Sequence, residues 1–165
     1  MTTATAHPRR RARVAARAAT VLLLVALAAS GARAQDADAP VTVVQQLFDA
    51  MRARDSAAVR RTFHPEARLM SVVRDRDGNP AVRTTPLDTF VNAIGAATVL
   101  LDERISGVEV RQDEGLATVW AQYAFYADST FSHCGVDAFQ LARTAEGWKI
   151  IHVADTRRRE GCSTP

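Results

Sequence analysis

The side chains best suited to chemistry in this sequence are Asp137 and His152, which fall on two neighbouring predicted strands near its C-terminal end. A carboxylate beside an imidazole can orient the ring and hold its pKa near neutrality, so the pair could act as a general base. Tyr123 could then donate a hydrogen bond to a developing oxyanion. A purely structural role is the alternative, because satisfied polar pairs in a tight barrel perturb each other's titration in the same way.

The pairing of the last two strands decides whether Asp137 and His152 share a face of the sheet. If the connecting loop is Thr144–Gly147, Arg143 lies opposite Trp148 and cross-strand neighbours share a face. We predict that one face packs on the helices and lines a small-molecule pocket, whereas the other suits a subunit interface or solvent. A one-residue slip would exchange the two faces. The predicted inner face carries His133, Asp137, Phe139, Leu141, Trp148, Ile150, His152, Ala154 and Thr156.

The strand over residues 116–127 has two possible orientations. Either Trp120, Gln122 and Ala124 point inward, or Val119, Tyr123 and Phe125 do. We predict no metal and no other cofactor, because three ligands from one curved sheet rarely converge without a fourth.

The elements that must position these side chains follow from the hydrophobic periodicity. Apolar residues at helical spacing predict helices, and alternating patterns between short polar turns predict strands. Thr85 is predicted to cap a helix and Pro86 to be its first helical residue. The remaining helices are predicted at Pro40–Arg54 and, capped by Asp55, at 56–62. Strands are predicted at Ala67–Val73, 103–112, 116–127, 131–143 and 148–157, the last four as an antiparallel meander in one α+β domain.

Composition and charge exclude several classes of protein. The chain has 165 residues, of which 47% are apolar and 24% charged, so it is not collagen-like, of low complexity or wholly disordered. The net charge of +3 is unevenly placed, because six of the 21 basic residues and none of the 18 acidic residues precede residue 35. The rest of the chain is net acidic, so we expect no nucleic-acid partner.

The first 34 residues have the pattern of a cleavable export signal. A basic segment, Arg9–Arg17, precedes an apolar core at Ala18–Ala29, and Ala32-Arg33-Ala34 offers a cleavage site. The core is shorter than the about 20 residues that span a membrane, which disfavours an anchor. We predict cleavage after Ala34, a polar stub at 35–40, and an exported domain at 41–162 that is periplasmic or secreted and has no stable membrane anchor.

Two cysteines, Cys134 and Cys162, lie in the predicted mature chain. An oxidising compartment permits a disulfide between them, and closing so long a loop would stabilise the fold by roughly 3 kcal/mol. Two independent thiols are the alternative. The chain has no C-x-x-C motif, so neither a zinc knuckle nor a thioredoxin-type site is supported.

The order of helices followed by a long meander, ending in Gly147-Trp148-Lys149-Ile150, resembles the nuclear transport factor 2-like superfamily, also called cystatin-like. This superfamily includes ketosteroid isomerase and the polyketide cyclases. The segment 132–139 (SHCGVDAF) and the segment 155–158 (DTRR) resemble its "putative lumazine-binding" branch. The resemblance implies a curved antiparallel sheet wrapped around about three helices, a conical pocket, and an outer face that often dimerises.

The resemblance and the predicted faces together give a set of pocket residues. The fold implies that His64 comes near the pocket mouth, with a surface position as the alternative. We expect a small apolar or heteroaromatic ligand. The ligand-binding candidates are His64, Trp120, Tyr123, His133, Asp137, Phe139, Trp148 and His152, and the catalytic candidates among them are Asp137, His152 and Tyr123.

Three functions are compatible with the sequence. We favour an exported, homodimeric small-molecule-binding or accessory domain, since the sequence contains no strong catalytic motif. The second is a small isomerase- or cyclase-type enzyme with an aspartate or histidine general base. The third is a structural dimerisation domain whose cone is filled by side chains. Fold alone does not choose among them.

Overall fold

The structure, a computed structural model, describes residues 1–2 and 39–162. Apart from residues 1–2, the predicted export signal at 1–34 lies outside these residues, as does most of the predicted stub. Within 39–162, every helix is too short or too polar to cross a membrane.

Three helices form on one side of the sheet: α1 (Pro40–Ala53), α2 (Ser56–Thr62) and α3 (Leu87–Gly95). Pro40 occupies the first turn of α1, where its missing N–H has no partner to lose. Asp55 caps α2 as predicted, because its carboxylate accepts a hydrogen bond of 2.9 Å from the Ala58 backbone N–H. The apolar residues that recur at helical spacing in α1, namely Val44, Leu47, Phe48 and Met51, form a buried stripe.

The predicted start of the third helix is wrong by one residue. Thr85 ends a strand and pairs with Leu69, while Pro86 is the capping residue without a side-chain cap. The pairing of Thr85 with the neighbouring strand overrides its local preference for a cap. Helical geometry therefore begins at Leu87.

Six strands form one mixed sheet in the order β2-β1-β6-β5-β4-β3. The predicted α+β class and the antiparallel meander of β3 to β6 are confirmed, and the hairpin of β1 and β2 is also antiparallel. The pairing of β1 with β6 is parallel and joins the first strand of the chain to the last. The strands are β1 (Phe63–Arg74), β2 (Pro80–Thr85), β3 (Leu101–Asp113), β4 (Leu116–Ala127), β5 (Thr130–Thr144) and β6 (Gly147–Thr156).

A β-bulge in the last hairpin changes the predicted faces. Arg143 lies opposite Trp148 and Leu141 opposite Ile150, as predicted, but Gln140 then lies opposite His152. The additional residue on β6 is Ile151. Such an insertion reverses the facing of every later residue on the bulged strand. The predicted inward placement of His152, Ala154 and Thr156 is therefore wrong, and Val153 and Asp155 point to the helices instead.

The hydrophobic core lies between the helices and this inner face of the sheet. Phe139, Leu141 and Ile150 are among its largest fully buried side chains, and the ring of Phe48 on α1 meets Phe139 edge to face at 6.1 Å. The orientation of β4 left open by the sequence is settled in favour of Val119, Tyr123 and Phe125.

Candidate functional site

A cavity of about 90 Å³ lies at one end of the core, between the inner face of the sheet and the helices. Just over half of the residues in its walls are apolar, and four of these are phenylalanines (Phe48, Phe63, Phe90 and Phe139). The side of the cavity where the charged residues lie is called its polar end below. The polar lining residues are Ser71, Thr85, Glu103, Tyr123, His133, Asp137, Asp155 and Arg157. The cavity is smaller than an apolar cavity of about 150 Å³ that accepts benzene. Met51 and Met70 also line it, and these unbranched side chains can move to admit a larger ring.

The structure brings half of the predicted pocket residues together at this cavity. Tyr123, His133, Asp137 and Phe139 line it. The other four residues lie elsewhere: Trp120 and His152 line a groove on the outer face of the sheet, His64 lines a surface depression, and Trp148 is buried in the core. The predicted contact between Asp137 and His152 is therefore wrong, because the bulge turns His152 outward.

Glu103 and Asp137 form a proton-sharing pair at the polar end. Asp137 is only 3% exposed, and its Oδ2 has no hydrogen-bond donor within residues 39–162. Burial, together with the Glu103 carboxyl within hydrogen-bonding reach, raises the pKa of Asp137 well above its ordinary value. Burial likewise raises the pKa of Glu103 to about 7. Two neighbouring carboxyls of this kind share a proton up to a higher pH than an isolated carboxyl would keep one.

A third carboxylate, Asp155, lies opposite Asp137 on the neighbouring strand. It accepts hydrogen bonds from the hydroxyl of Ser71 and from Nε of Arg157, the latter at 2.7 Å. Asp155 is thus a paired anion, in contrast to Asp137. In the described part of the chain, no group of three histidine, cysteine, aspartate or glutamate side chains is arranged to hold a metal ion.

Tyr123 has a structural partner that uses its proton. Its hydroxyl donates to the backbone carbonyl of Thr156 at 2.9 Å. Burial and the nearby carboxylates, Asp155 first, raise the pKa of Tyr123, so the phenol stays protonated. The hydroxyl of Tyr123 has one proton and donates it to Thr156. The predicted role of Tyr123 as a hydrogen-bond donor to an oxyanion would require this bond to break.

His133 lies between two aromatic rings at the rim of the cavity. Its ring centroid is 5.6 Å from that of Tyr123 and 5.1 Å from that of Phe125. Burial and the nearby Arg157 lower the pKa of His133, so it is neutral at physiological pH. His133 therefore offers a neutral polar edge to a ligand.

The segment after β6 continues along β5 and is fixed by a disulfide. Arg158 exchanges backbone hydrogen bonds of 2.9 Å with Cys134, and Cys134 is bonded to Cys162. The disulfide alternative left open by the sequence is thus present. Arg157, which lines the cavity, directly precedes the first of these two anchors.

Sequence reasoning missed Glu103, Asp155 and Arg157 as site residues. Asp155 and Arg157 were assigned to the outer face by the unbulged register. Glu103 was not singled out, although it alternates with the apolar Leu101 and Ile105 and is thus a charged residue on an otherwise apolar strand face. That alternation is the signal that could have found it.

The shared proton makes stability depend on pH in a defined direction. The folded state keeps a proton on Glu103 up to about pH 7, whereas an unfolded glutamate loses it near 4.5. We therefore expect the free energy of unfolding to fall as pH rises between these values, by up to about 1.4 kcal/mol per pH unit for one proton. Glu103→Gln should flatten this slope, since the amide of glutamine can donate an N–H to Asp137 and does not titrate. Urea unfolding across this pH range measures the slope.

The matched control for this prediction is Glu109→Gln. Glu109 lies on the same strand but is exposed on the outer face, so its replacement should keep the wild-type slope. Equal slopes in the wild type and Glu103→Gln would show that Glu103 does not hold the proton.

The chain is similar in sequence to one protein family over most of its length. The model of the family described as "Putative lumazine-binding" matches residues 35–154. Among curated protein sequences, none matches the chain significantly.

Several solved structures share the fold. A nuclear transport factor 2-like protein with a cystatin-like fold from Novosphingobium aromaticivorans has a TM-score of 0.60 at 14% identity, covering 85% of this chain and 92% of that one. The Kfla4162 protein from Kribbella flavida has a TM-score of 0.57 at 21% identity, covering 76% and 92%. A nuclear transport factor 2-like protein of unknown function from Shewanella baltica has a TM-score of 0.55 at 17% identity, covering 77% and 97%. At such identities, the likeness shows the fold alone.

Proposed function

Because the chain belongs to the "putative lumazine-binding" family of nuclear transport factor 2-like proteins, we propose that it is a small-molecule-binding domain whose ligand occupies the cavity beside Asp137. The observation that carries this proposal is the buried Asp137 carboxyl, whose Oδ2 accepts no hydrogen bond from any N–H or hydroxyl group of the described residues, so that the proton shared with Glu103 is its one source of compensation there. Buried polar groups are otherwise almost always hydrogen-bonded, and an exception calls for an explanation. A ligand with a hydrogen-bond donor supplies one.

The rest of the cavity supports a flat ring as the ligand. Phe48, Phe139 and Phe90 offer apolar surfaces, while the charged groups all come from strands β3, β5 and β6 and the residue that follows β6. Apolar walls with a few convergent polar groups are the usual composition of a small-molecule site. The family description suggests a heteroaromatic ring, and the volume of about 90 Å³ favours a small ring or movement of the two methionines.

A second candidate function is general acid–base catalysis of the isomerase or cyclase type. The proton held between Glu103 and Asp137 favours it, since carboxyls with raised pKa values are suited to proton transfer near neutral pH. The sequence predicted His152 as the partner of Asp137 in such a general base, and in this second candidate function Glu103 takes that place. The neutral wall of Tyr123 and His133 would then orient the substrate.

The proposal includes export and dimerisation, which the sequence predicted. The disulfide supports an oxidising compartment, periplasmic or extracellular. On the outer face of the sheet, Trp120 is 50% exposed and Leu116 is 51% exposed, and both suit a homodimer interface rather than solvent. A structural dimerisation domain without a ligand would share this interface but would not need the unpaired carboxyl.

Native mass spectrometry of the protein purified from its own host tests the proposal. We expect a dimer, a chain shortened to begin at Gln35, and an additional small mass that is lost on denaturation. Asp137→Asn should lose the additional mass while keeping the dimer. A wild-type protein that carries no additional mass at any stage of purification would contradict ligand binding and favour the structural alternative.

We expect Trp120→Glu to convert the dimer to a monomer, because a buried charge on a tightly packed interface is strongly unfavourable. Light scattering coupled to size-exclusion chromatography would measure the mass. Val82→Glu is the control, since Val82 is exposed on the distant strand β2, and it should leave the mass unchanged. A Trp120→Glu protein that remains dimeric would place the interface elsewhere.

A further inference from the structure

The polar end of the cavity holds more negative charge than its one arginine can balance. Glu103, Asp137 and Asp155 all line it. Arg157 donates to Asp155 and is thereby committed to that carboxylate. Among residues 39–162, neither Glu103 nor Asp137 takes part in a salt bridge. One negative charge, shared by two carboxyls, is thus left without a positive partner.

Both carboxyls that share this charge belong to residues that line the cavity. Asp137 is buried, and its Oδ2 accepts no hydrogen bond from the described residues. A buried carboxylate without a donor is costly, and the cost falls greatly when a charged donor is supplied. If the N–H groups of a ligand replace the proton that the pair holds, a neutral ligand would leave two negative charges in the site and an anion would add a third. A cation keeps the charge of the site as it was and gives both carboxylates a donor.

We propose, building on the binding function above, that the ligand is a small organic cation, such as a protonated amidine or amine. Its N–H groups take the place of the proton that Glu103 and Asp137 hold between them. When the cation enters, one proton leaves to solvent, so the charge of the site is unchanged. The two carboxylates then each accept a charge-assisted hydrogen bond from the ligand.

The surrounding groups are compatible with a bound cation. The aromatic rings of Phe48 and Phe139 can contact it through cation–π interactions. Helices α1 and α3 and strands β1 and β2 contribute only uncharged side chains to the cavity. The titratable or charged groups that face the pair are Tyr123, His133, Asp155 and Arg157; the first two are neutral, and the last two form an ion pair.

Three probes of nearly the same size and shape test the charge of the ligand. Acetamidine is a cation, acetamide is neutral and acetate is an anion, and each has few enough atoms for the present cavity. Chemical-shift titration of the isotope-labelled, disulfide-bonded chain reports which probe perturbs Glu103, Tyr123 and Asp137. We expect acetamidine to bind at least about tenfold more tightly than acetamide, with acetate not binding.

The release of a proton gives a second readout. Below about pH 7, the pKa of Glu103, the dissociation constant of acetamidine should fall about tenfold for each unit that pH rises. Asp137→Asn and Glu103→Gln should each remove this dependence and weaken binding at least about tenfold. Glu109→Gln on the outer face should change neither. The spectrum of each variant shows whether it is folded, and the two site variants serve as independent tests if one is not.

Equal binding of acetamide and acetamidine, pH-independent affinity, or no perturbation at the cavity by any probe would overturn the proposal. These outcomes are distinguishable from failure of the binding function. A neutral or anionic molecule retained in native mass spectrometry would keep the binding function and exclude the cation. The absence of any retained molecule, together with no response to the probes, would exclude both.

Discussion

Gly135→Ala is expected to destabilise the fold by about 3 kcal/mol or more, because the added methyl group has no space. A Cβ at this position would lie 1.7 Å from the Thr156 carbonyl oxygen and 2.8 Å from the Tyr123 ring. The Thr156 carbonyl is a backbone group, and the pairing of β5 with β6 and with the segment after β6 holds it in place. It therefore cannot move away as a side chain could. Glycine is required here by close approach alone.

The same change should disturb the site. To accommodate the methyl group, the end of β6 would have to move away from β5, which breaks the bond from the Tyr123 hydroxyl to Thr156. Asp155 and Arg157, on either side of Thr156, would move with it. A variant that still folds should therefore also lose ligand binding at the polar end.

Urea unfolding of Gly135→Ala and of Gly115→Ala gives a matched comparison. A Cβ at Gly115, in the turn between β3 and β4, would meet only the Cβ of Arg143 at 3.9 Å, which is an ordinary contact. Gly115→Ala should therefore stay within about 0.5 kcal/mol of the wild type. A similarly small effect at Gly135 would mean that the backbone of β6 yields easily, contrary to this account.

Reduction of the Cys134–Cys162 disulfide is expected to lower the free energy of unfolding by about 3 kcal/mol. The bond closes a loop with a sequence separation of 28 residues, so its loss frees the unfolded chain and lowers stability. The segment that carries Arg157 would then be held to β5 by the hydrogen bonds between Arg158 and Cys134 and by the one that the Val136 N–H donates to the Thr156 hydroxyl. We expect exchange of the backbone amides in this segment to accelerate most.

The comparison of urea unfolding with and without a thiol reductant measures this effect. Cys162→Ser is the control, because it should resemble the reduced wild type and show no response to the reductant. Cys162 is the better position to replace, since Cys134 is buried and a hydroxyl there would need a partner. An oxidised wild type as unstable as Cys162→Ser would show that the disulfide adds nothing to stability.

The sequence was sufficient for those features that depend on local patterns. The apolar stripe of α1, the Asp55 cap and the turns that connect β3 to β6 each rest on residues close together in the chain, and each was predicted. The start of α3 was not predicted correctly, because Thr85 pairs with Leu69 on β1. This contact joins residues far apart in the chain, so no local pattern reveals it.

The candidate site was predicted only in part, for a different reason. Asp137, Tyr123, His133 and Phe139 lie before the bulge or on other strands, so period-two alternation assigned them correctly or left them as alternatives. Ile151 adds one residue to β6, and alternation cannot reveal whether such an insertion exists, since it depends on how the sheet bends over the helices. Everything that follows Ile151 was therefore assigned to the opposite face.

The parallel pairing of β1 with β6 has a consequence for how the chain acquires its structure. Strand β1 begins at Phe63, but its inner neighbour β6 is not complete until Thr156, so this pairing closes late and at high entropic cost. A chain shortened before Gly147 would leave both β1 and β5 with an open hydrogen-bonding edge, the condition that promotes aggregation. The ten residues of β6 are thus needed to close the sheet, and we expect the native pairing of β1 to form only after they have been synthesised.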